Sequence, residues 1–179
     1  MGDRRARHEY IRARQAVKES MVNQLQRDHK CRRETIHNLM ACFLLAMHTG
    51  YGFGRERLLR LRDKMQSEFD AIVGGQVSVE EIAEFLEQDL SFSIGIAESN
   101  PNAGHYRQIE FKAVQQMSAA FLMALLDEFD FKRKRLEAAY NHVMDLSDSV
   151  GKNETNYAEI CAKVNAVIDK KRGRNNEQK

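Results

Sequence analysis

A glycine-rich turn followed by arginines is the feature of this sequence with the clearest chemistry. Residues 52–57 read Gly-Phe-Gly-Arg-Glu-Arg, and an apolar helical periodicity begins directly after the last glycine. Arginines in a first helical turn oppose the helix dipole, at a cost of roughly 0.3–1 kcal/mol each. Free amides at a helix N-terminus together with Arg side chains bind anions, and a bound phosphate would remove this conflict. Arg55 and Arg57 are therefore candidate phosphate ligands.

A second basic turn lies further along the chain. After Asp130 it has four consecutive cations, which are Lys132, Arg133, Lys134 and Arg135. It lacks the glycines of the first turn, so close approach of a ligand to its backbone is less favourable. We expect it to add charge rather than a tight anion pocket.

Two helical stretches carry further candidate cations. Arg60 and Lys64 continue from Arg57 at spacings of three and four residues, which places all three on one helix face. The first helix is more basic still, and its candidates are Arg4, Arg5, Arg7, Arg12, Arg14 and Lys18. Basic stripes of this kind can follow a nucleic-acid backbone. The alternative is a solvated helix face, with the cations of the turns paired to nearby carboxylates such as Glu56, Asp63, Asp127, Glu128 and Glu137.

Catalytic and metal-binding patterns are not found. No histidine has a second histidine or cysteine three or four residues away, and the three cysteines, Cys31, Cys42 and Cys161, have no ligand-like spacing. The sequence contains no nucleophile elbow, phosphate-binding loop or dinucleotide-binding fingerprint. We therefore expect a protein that is not an enzyme and uses no metal and no cofactor.

The elements that must position these residues repeat along the chain. The stretch from Phe43 to Leu58 recurs 78 positions later as Phe121 to Leu136, with its apolar, aromatic and basic positions in register. The glutamate of a helix-capping motif recurs at the same offset, in Ser-Val-Glu-Glu at 78–81 and Asn-Tyr-Ala-Glu at 156–159. Such self-similarity predicts an all-α fold with two tandem copies of a three-helix unit.

Other segments flank the two copies. Residues 1–33 are predicted to form a long basic amphipathic helix, whose apolar face could also drive homodimer formation. Repeat 1 is assigned to 34–90 and repeat 2 to 108–169, where the first helix is expected to begin near Gln108. The linker, 91–107, includes a strand-like alternation from Ser91 to Ile96, and the basic tail, 170–179, lacks apolar anchors and is expected to be disordered.

Charge is distributed unevenly along the chain. The formal net charge is only +2, yet residues 1–33 carry ten Lys/Arg against four Asp/Glu and the last ten residues carry five against one. A mildly acidic body therefore has basic ends, which is typical of proteins with phosphate-bearing partners. No long apolar run or secretory signal is present, so we expect a cytoplasmic protein without membrane contact.

The turn also carries a resemblance. Residues 47–58, Met-His-Thr-Gly-Tyr-Gly-Phe-Gly-Arg-Glu-Arg-Leu, resemble a motif in uncharacterised phage and prophage proteins of Gram-positive bacteria. In that family an apolar helix ending near His is followed by an aromatic-Gly-Phe-Gly turn, a basic residue and an Arg-Leu pair, and the likeness extends over about residues 38–90. The resemblance implies a phage context and carries no activity with it.

Two functions from different classes fit these observations. In the first, a phage accessory protein with a regulatory or replication role binds DNA or RNA through its basic helical surfaces. In the second, an anti-defence or host-takeover protein binds and inhibits a host protein, such as a CRISPR or other defence nuclease. The sequence favours binding over catalysis, and slightly favours nucleic acid over a host protein.

Overall fold

The computed structural model describes residues 3–93 and 102–170, with side chains from Glu9 onward. These residues form six α-helices and no strand, so the all-α prediction is confirmed for the described part of the chain. The helices are α1 (Asp3–Tyr51), α2 (Arg55–Val73), α3 (Val79–Leu90), α4 (His105–Phe129), α5 (Arg133–Gly151) and α6 (Tyr157–Ile168).

The first helix is a single element of 49 residues. No glycine or proline occurs between residues 3 and 49, so nothing in the backbone chemistry interrupts it. The predicted boundary between residues 33 and 34 therefore falls inside a continuous helix. The helix ends where Gly52 adopts a left-handed conformation (φ 63°) and the Phe53 amide bonds the Met47 carbonyl at 3.2 Å.

Helices α1 and α4 form the centre of the fold and run parallel to each other. Asp28 of α1 lies 2.9 Å from His105 at the start of α4, and further along the Phe43 and Phe121 rings stack with centroids 4.4 Å apart. Helices α2 and α3 pack mainly against α4, whereas α5 and α6 pack against α1. Phe43 and Phe121, the first residues of the two matching stretches, are both fully buried in this arrangement.

Helices in the two halves begin and end at matching positions. The bounds of α5 lie 78 positions after those of α2, and the bounds of α6 lie 78 positions after those of α3. The caps match as well, because the side chain of Ser78 accepts the Glu81 amide and that of Asn156 accepts the Glu159 amide. The hydrogen bonds from Ser78 also lower the pKa of Glu81.

The linker prediction needs correction. Ser91, Phe92 and Ser93 do not form a strand; Ser91 caps α3 in a left-handed conformation (φ 48°), and the Phe92 amide bonds the Leu86 carbonyl at 3.0 Å. This helix-capping turn brings Phe92 into the core, which accounts for the apolar signal read as a strand. The rest of the strand-like segment, 94–96, and the tail beyond Lys170 lie outside the described residues.

The remaining boundaries are close to expectation. The fourth helix begins at His105, three residues before the predicted start, with Gly104 as its N-cap. None of the described helices combines the length and the apolar character needed to cross a lipid bilayer.

Candidate nucleic-acid interface

The two basic turns meet at one end of the molecule. Because α1 and α4 run parallel, the turns that follow them lie side by side, and their buried rings Phe53 and Phe131 are 6.4 Å apart. Each ring also packs against the last aromatic residue of the opposite helix, Phe53 on Phe129 at 4.8 Å and Phe131 on Tyr51 at 5.1 Å. We call this region, residues 51–58 and 129–136, the turn end.

Both turns have the same backbone form despite different sequences. Asp130 is left-handed (φ 50°) like Gly52, and the Phe131 amide bonds the Leu125 carbonyl at 3.1 Å, as the Phe53 amide bonds that of Met47. The space over the Gly52 and Gly54 backbone is open, since a Cβ at either position would meet no atom within 4 Å. A ligand can therefore approach the first turn closely.

Six of the predicted cations surround these turns and all are exposed. They are Arg55, Arg57, Lys132, Arg133, Lys134 and Arg135. The N-caps of α2 and α5, Gly54 and Lys132, provide no side-chain hydrogen bond to the first helical amides. Two positive helix ends and six exposed cations thus lie within the turn end, which is an arrangement suited to phosphate groups.

Aromatic rings orient two of these arginines. The Arg57 guanidinium lies 5.6 Å from the Phe53 centroid, and that of Arg135 lies 3.8 Å from the Phe131 centroid. The Tyr51 hydroxyl donates a hydrogen bond to the Arg135 carbonyl at 3.1 Å. Burial raises the pKa of Tyr51, and the Arg135 charge opposes that rise. A guanidinium held over a ring loses less side-chain entropy when its edge binds an anion.

Two of the six cations also have partners within the protein. Arg55 Nε donates to the Ile168 carbonyl at 2.6 Å, and so satisfies a carbonyl at the end of α6. Lys132 Nζ lies 2.5 Å from Asp130 Oδ1, although both side chains are largely exposed. The alternative interpretation, in which the cations of the turns pair with nearby carboxylates, therefore holds in part for Lys132. Arg55 has a structural role.

Arg60 and Lys64 do not join the turn end. Arg60 forms an ion pair with Glu128 and lies over the Phe129 ring at 5.6 Å. Lys64 contacts Glu68 at 2.6 Å and Asp127 at 3.1 Å. The hydrogen bond to Glu68, followed by the contact to Asp127, raises the pKa of Lys64 against the opposing effect of burial. These two cations attach α2 to α4, and carboxylates neutralise their charge.

The N-terminal candidates lie at the other end of α1. Arg12, Arg14 and Lys18 are exposed, whereas the side chains of Arg4, Arg5 and Arg7 lie outside the described part of the structure. They precede Asp28, where α4 begins alongside α1, and the helix from Asp28 to Tyr51 is about 35 Å long. The predicted sites thus form two separate basic regions.

Comparison with protein-family models, with curated proteins and with solved structures gives no match for this chain. The geometry of the turn end is therefore the basis for a functional assignment.

Sequence reasoning missed several contacts. The rings of Tyr51 and Phe129 were not recognised as the supports of the basic turns, although aromatic residues recur there at the 78-residue offset. Cys161 Sγ lies 3.6 Å from His37 Nε2, a pair separated by 124 residues that no local spacing could reveal. Burial raises the pKa of the Cys42 thiol to about 11. Among the described residues, no three His, Cys, Asp or Glu side chains form a metal-binding group.

Proposed function

We propose that this chain is a non-enzymatic phage or prophage accessory protein that binds nucleic acid, with the turn end as its main phosphate contact. The observation that carries the proposal is the meeting of two basic turns around Phe53 and Phe131. In the sequence these turns are far apart and each is a weak signal. Together they bring six exposed cations and two helix N-termini to one end of the molecule.

The spread of charge favours a polyanion over a single small anion. Arg57 lies 5.6 Å from the Phe53 centroid, Arg135 lies 3.8 Å from the Phe131 centroid, and the two ring centroids are 6.4 Å apart, so these two arginines lie on either side of a small aromatic centre. Successive phosphates of a nucleic acid can each take one or two of these donors. Contacts of this kind do not read bases, so the proposed binding is governed by charge and shape.

The N-terminal part of α1 provides a second basic region in this proposal. Arg12, Arg14 and Lys18 are exposed there, and the sequence adds three arginines before them. The two basic regions would contact separate parts of a long nucleic acid. The phage context rests on the resemblance of residues 47–58 to the phage motif.

We also propose that the body consists of two tandem copies of one three-helix unit. Matching helix bounds, matching caps and two turns of the same backbone form support this. The contacts of Phe43 with Phe121 and of Phe53 with Phe131 support it further, because each joins two equivalent positions. Equivalent residues that touch each other are expected on an approximate two-fold axis.

A salt titration of binding tests the nucleic-acid proposal. Fluorescence anisotropy with mixed-sequence DNA and RNA should show an affinity that falls steeply with salt. The double variant Lys132→Gln/Lys134→Gln should reduce the magnitude of the slope of log affinity against log salt by about two. The matched control is Lys112→Gln/Lys163→Gln, which removes two exposed lysines from α4 and α6 and should leave the slope unchanged. Arg55 is unsuitable for this test because it bonds the Ile168 carbonyl.

Removal of residues 1–18 tests the second basic region and should also reduce the magnitude of the slope of log affinity against log salt. If Lys112→Gln/Lys163→Gln changed the slope as much as Lys132→Gln/Lys134→Gln, binding would depend on total charge alone. That result would contradict a specific role for the turn end. If neither DNA nor RNA binds at about 50 mM salt, the nucleic-acid proposal fails. A host protein recovered from lysate in stoichiometric amount would then support the inhibitor alternative.

A further inference from the structure

The N-terminal part of α1 has an exposed apolar face. Every residue from Glu9 to Asn23 is exposed, including Tyr10 at 67%, Val17 at 59% and Met21 at 64%. Leu25 continues the row at 59%. Large apolar side chains at such exposure in a regular row are unusual for a helix surface that faces only water.

This row continues an interface that already exists within the molecule. Further along the same face of α1, Gln24 bonds Tyr106 at 3.5 Å, Asp28 bonds His105 at 2.9 Å and Arg32 bonds Gln116 at 3.0 Å. Helix α4 starts at His105, so it covers this face only from about Gln24 onward. Within the described residues, no helix extends the cover toward the N-terminus of α1. The uncovered part of α1 includes Glu9 to Asn23, and an isolated helix of about 15 residues is only marginally stable in water.

The row has the geometry of a helix-packing ridge. Ala13, Val17, Met21 and Leu25 are spaced by four residues, and ridges of this spacing pack into each other with the helices crossing at about −50°. Two identical ridges can pack in this way about a two-fold axis. In an antiparallel crossing centred near Glu19, Ala13 lies opposite Leu25 and Val17 lies opposite Met21. Small and large side chains then face each other, which fills the contact evenly.

Charge placement favours the same arrangement. In the antiparallel crossing Arg14 and Lys18 of one chain lie opposite Gln24 and Ser20 of the other, whereas Arg12 lies on the opposite face of the helix. Neither of these two cations then faces a cation, whereas an in-register parallel pairing would place each beside its own counterpart. Lys18 at the edge of the contact and Arg12 on the opposite face remain accessible to a nucleic acid.

We propose that this chain forms an antiparallel homodimer through the row Tyr10, Ala13, Val17, Met21 and Leu25. The occupant of the exposed face is a second copy, because the face is self-complementary in size, brings no like charges together and continues the α1–α4 contact. This surface lies away from the turn end, so dimer formation and nucleic-acid binding at the turn end stand or fall separately.

Sedimentation equilibrium of the full chain, freed of nucleic acid, tests the proposal. At micromolar concentration the mass should be twice the 20.7 kDa of one chain. Met21→Lys should restore the mass of one chain, because it places a charge in the contact. Gln15→Lys is the matched control, since it adds the same charge about 140° around the helix from Tyr10 and should leave the dimer intact. Both positions are exposed, and circular dichroism should show unchanged helicity.

Disulfide trapping tests the antiparallel direction. A mixture of Val17→Cys and Met21→Cys chains should cross-link more efficiently than either variant alone, with the wild-type cysteines as the blank. Stronger cross-linking of Val17→Cys to itself would overturn the antiparallel arrangement. A wild-type chain that stays monomeric at micromolar concentration, or equal dissociation by Met21→Lys and Gln15→Lys, would overturn the dimer. A monomer that binds anionic vesicles through Met21 would assign the face to lipid instead.

Discussion

At the scale of single residues, the conformation of Gly52 determines how the chain leaves α1. Its φ of 63° is readily adopted by glycine and costs other L-residues roughly 1 kcal/mol or more. Asp130 adopts the same conformation at the equivalent turn, and Asp is among the few residues that tolerate it. The glycine of the first turn is therefore favoured by backbone geometry, and the open space above it is an additional property.

We predict that Gly52→Ala lowers the free energy of unfolding by about 1 kcal/mol. Gly151 is the control, because it has no left-handed φ and a Cβ there would meet no atom within 4 Å. Gly151 is the last residue of α5, so Gly151→Ala should leave the free energy of unfolding unchanged or raise it by up to about 1 kcal/mol. Urea denaturation of the two variants measures both changes. Equal destabilisation by both would contradict the role of backbone conformation.

At the scale of elements, the attachment of α2 to α4 depends on partly buried ion pairs as well as on apolar packing. Lys64 contacts Asp127 across the two helices and Glu68 within its own helix. Both contacts raise the pKa of Lys64, so the charged lysine is favoured in the folded state. Its stabilising contribution is fully present below the unfolded-state pKa of about 10.4 and is lost as pH rises through the higher folded-state pKa.

We predict that Lys64→Met lowers the free energy of unfolding by roughly 1 kcal/mol at neutral pH. The difference from wild type should shrink as pH rises above about 10.4. Arg62→Met is the control, because among the contacts of the described residues Arg62 pairs only with the adjacent Asp63. This variant should change the free energy of unfolding by less than about 0.5 kcal/mol. Denaturation between neutral and alkaline pH measures both variants. A Lys64→Met difference that persists unchanged at high pH would show that the lysine acts through packing instead of charge.

At the scale of the whole molecule, the stacked pair Phe43 and Phe121 joins the two halves of the chain. Both rings are fully buried between α1 and α4, and their centroids are 4.4 Å apart. Neither half covers its own ring alone, since each ring lies against its counterpart from the other half. The core is therefore shared between the two halves of the chain, since short chain segments bury too little surface by themselves.

We predict that Phe43→Ala and Phe121→Ala each lower the free energy of unfolding by about 3–5 kcal/mol. The double variant should lose less unfolding free energy than the sum of the two single losses, because the second truncation no longer removes the ring contact. Phe85→Ala is the control, since Phe85 is 39% exposed and should cost much less. Thermal and urea denaturation give the four values. Full additivity would contradict direct coupling of the two rings.

Local features of this protein could be predicted from its sequence with good accuracy. The helix stop at residues 52–54, the capping box at Ser78 and the cap at Asn156 depend on side chains within a few positions of each other. The strand assigned to Ser91–Ile96 was wrong at its described residues because a helix cap that buries Phe92 gives the same apolar alternation. The start of α4 was placed three residues late because Gly104 is a weak signal.

The candidate site was predictable in composition but not in arrangement. The sequence identified both basic turns as cationic helix starts, since this needs only neighbouring residues. It could not show that Arg60 and Lys64 are paired with Glu128 and Asp127, because those pairs depend on which helix α2 packs against. It also could not show that Arg55 bonds the carbonyl of Ile168, 113 positions away.

Sequence alone therefore determined the helices, their caps and the residues that carry charge, because these follow from backbone preferences and periodicity over short distances. The tertiary structure decided which cations act together. Parallel packing of α1 and α4 around Phe43 and Phe121 brings the two turns to one end, and it leaves the first part of α1 without cover from α4. Packing between distant segments is selected by the fit of whole buried faces, and no short stretch of sequence contains that information.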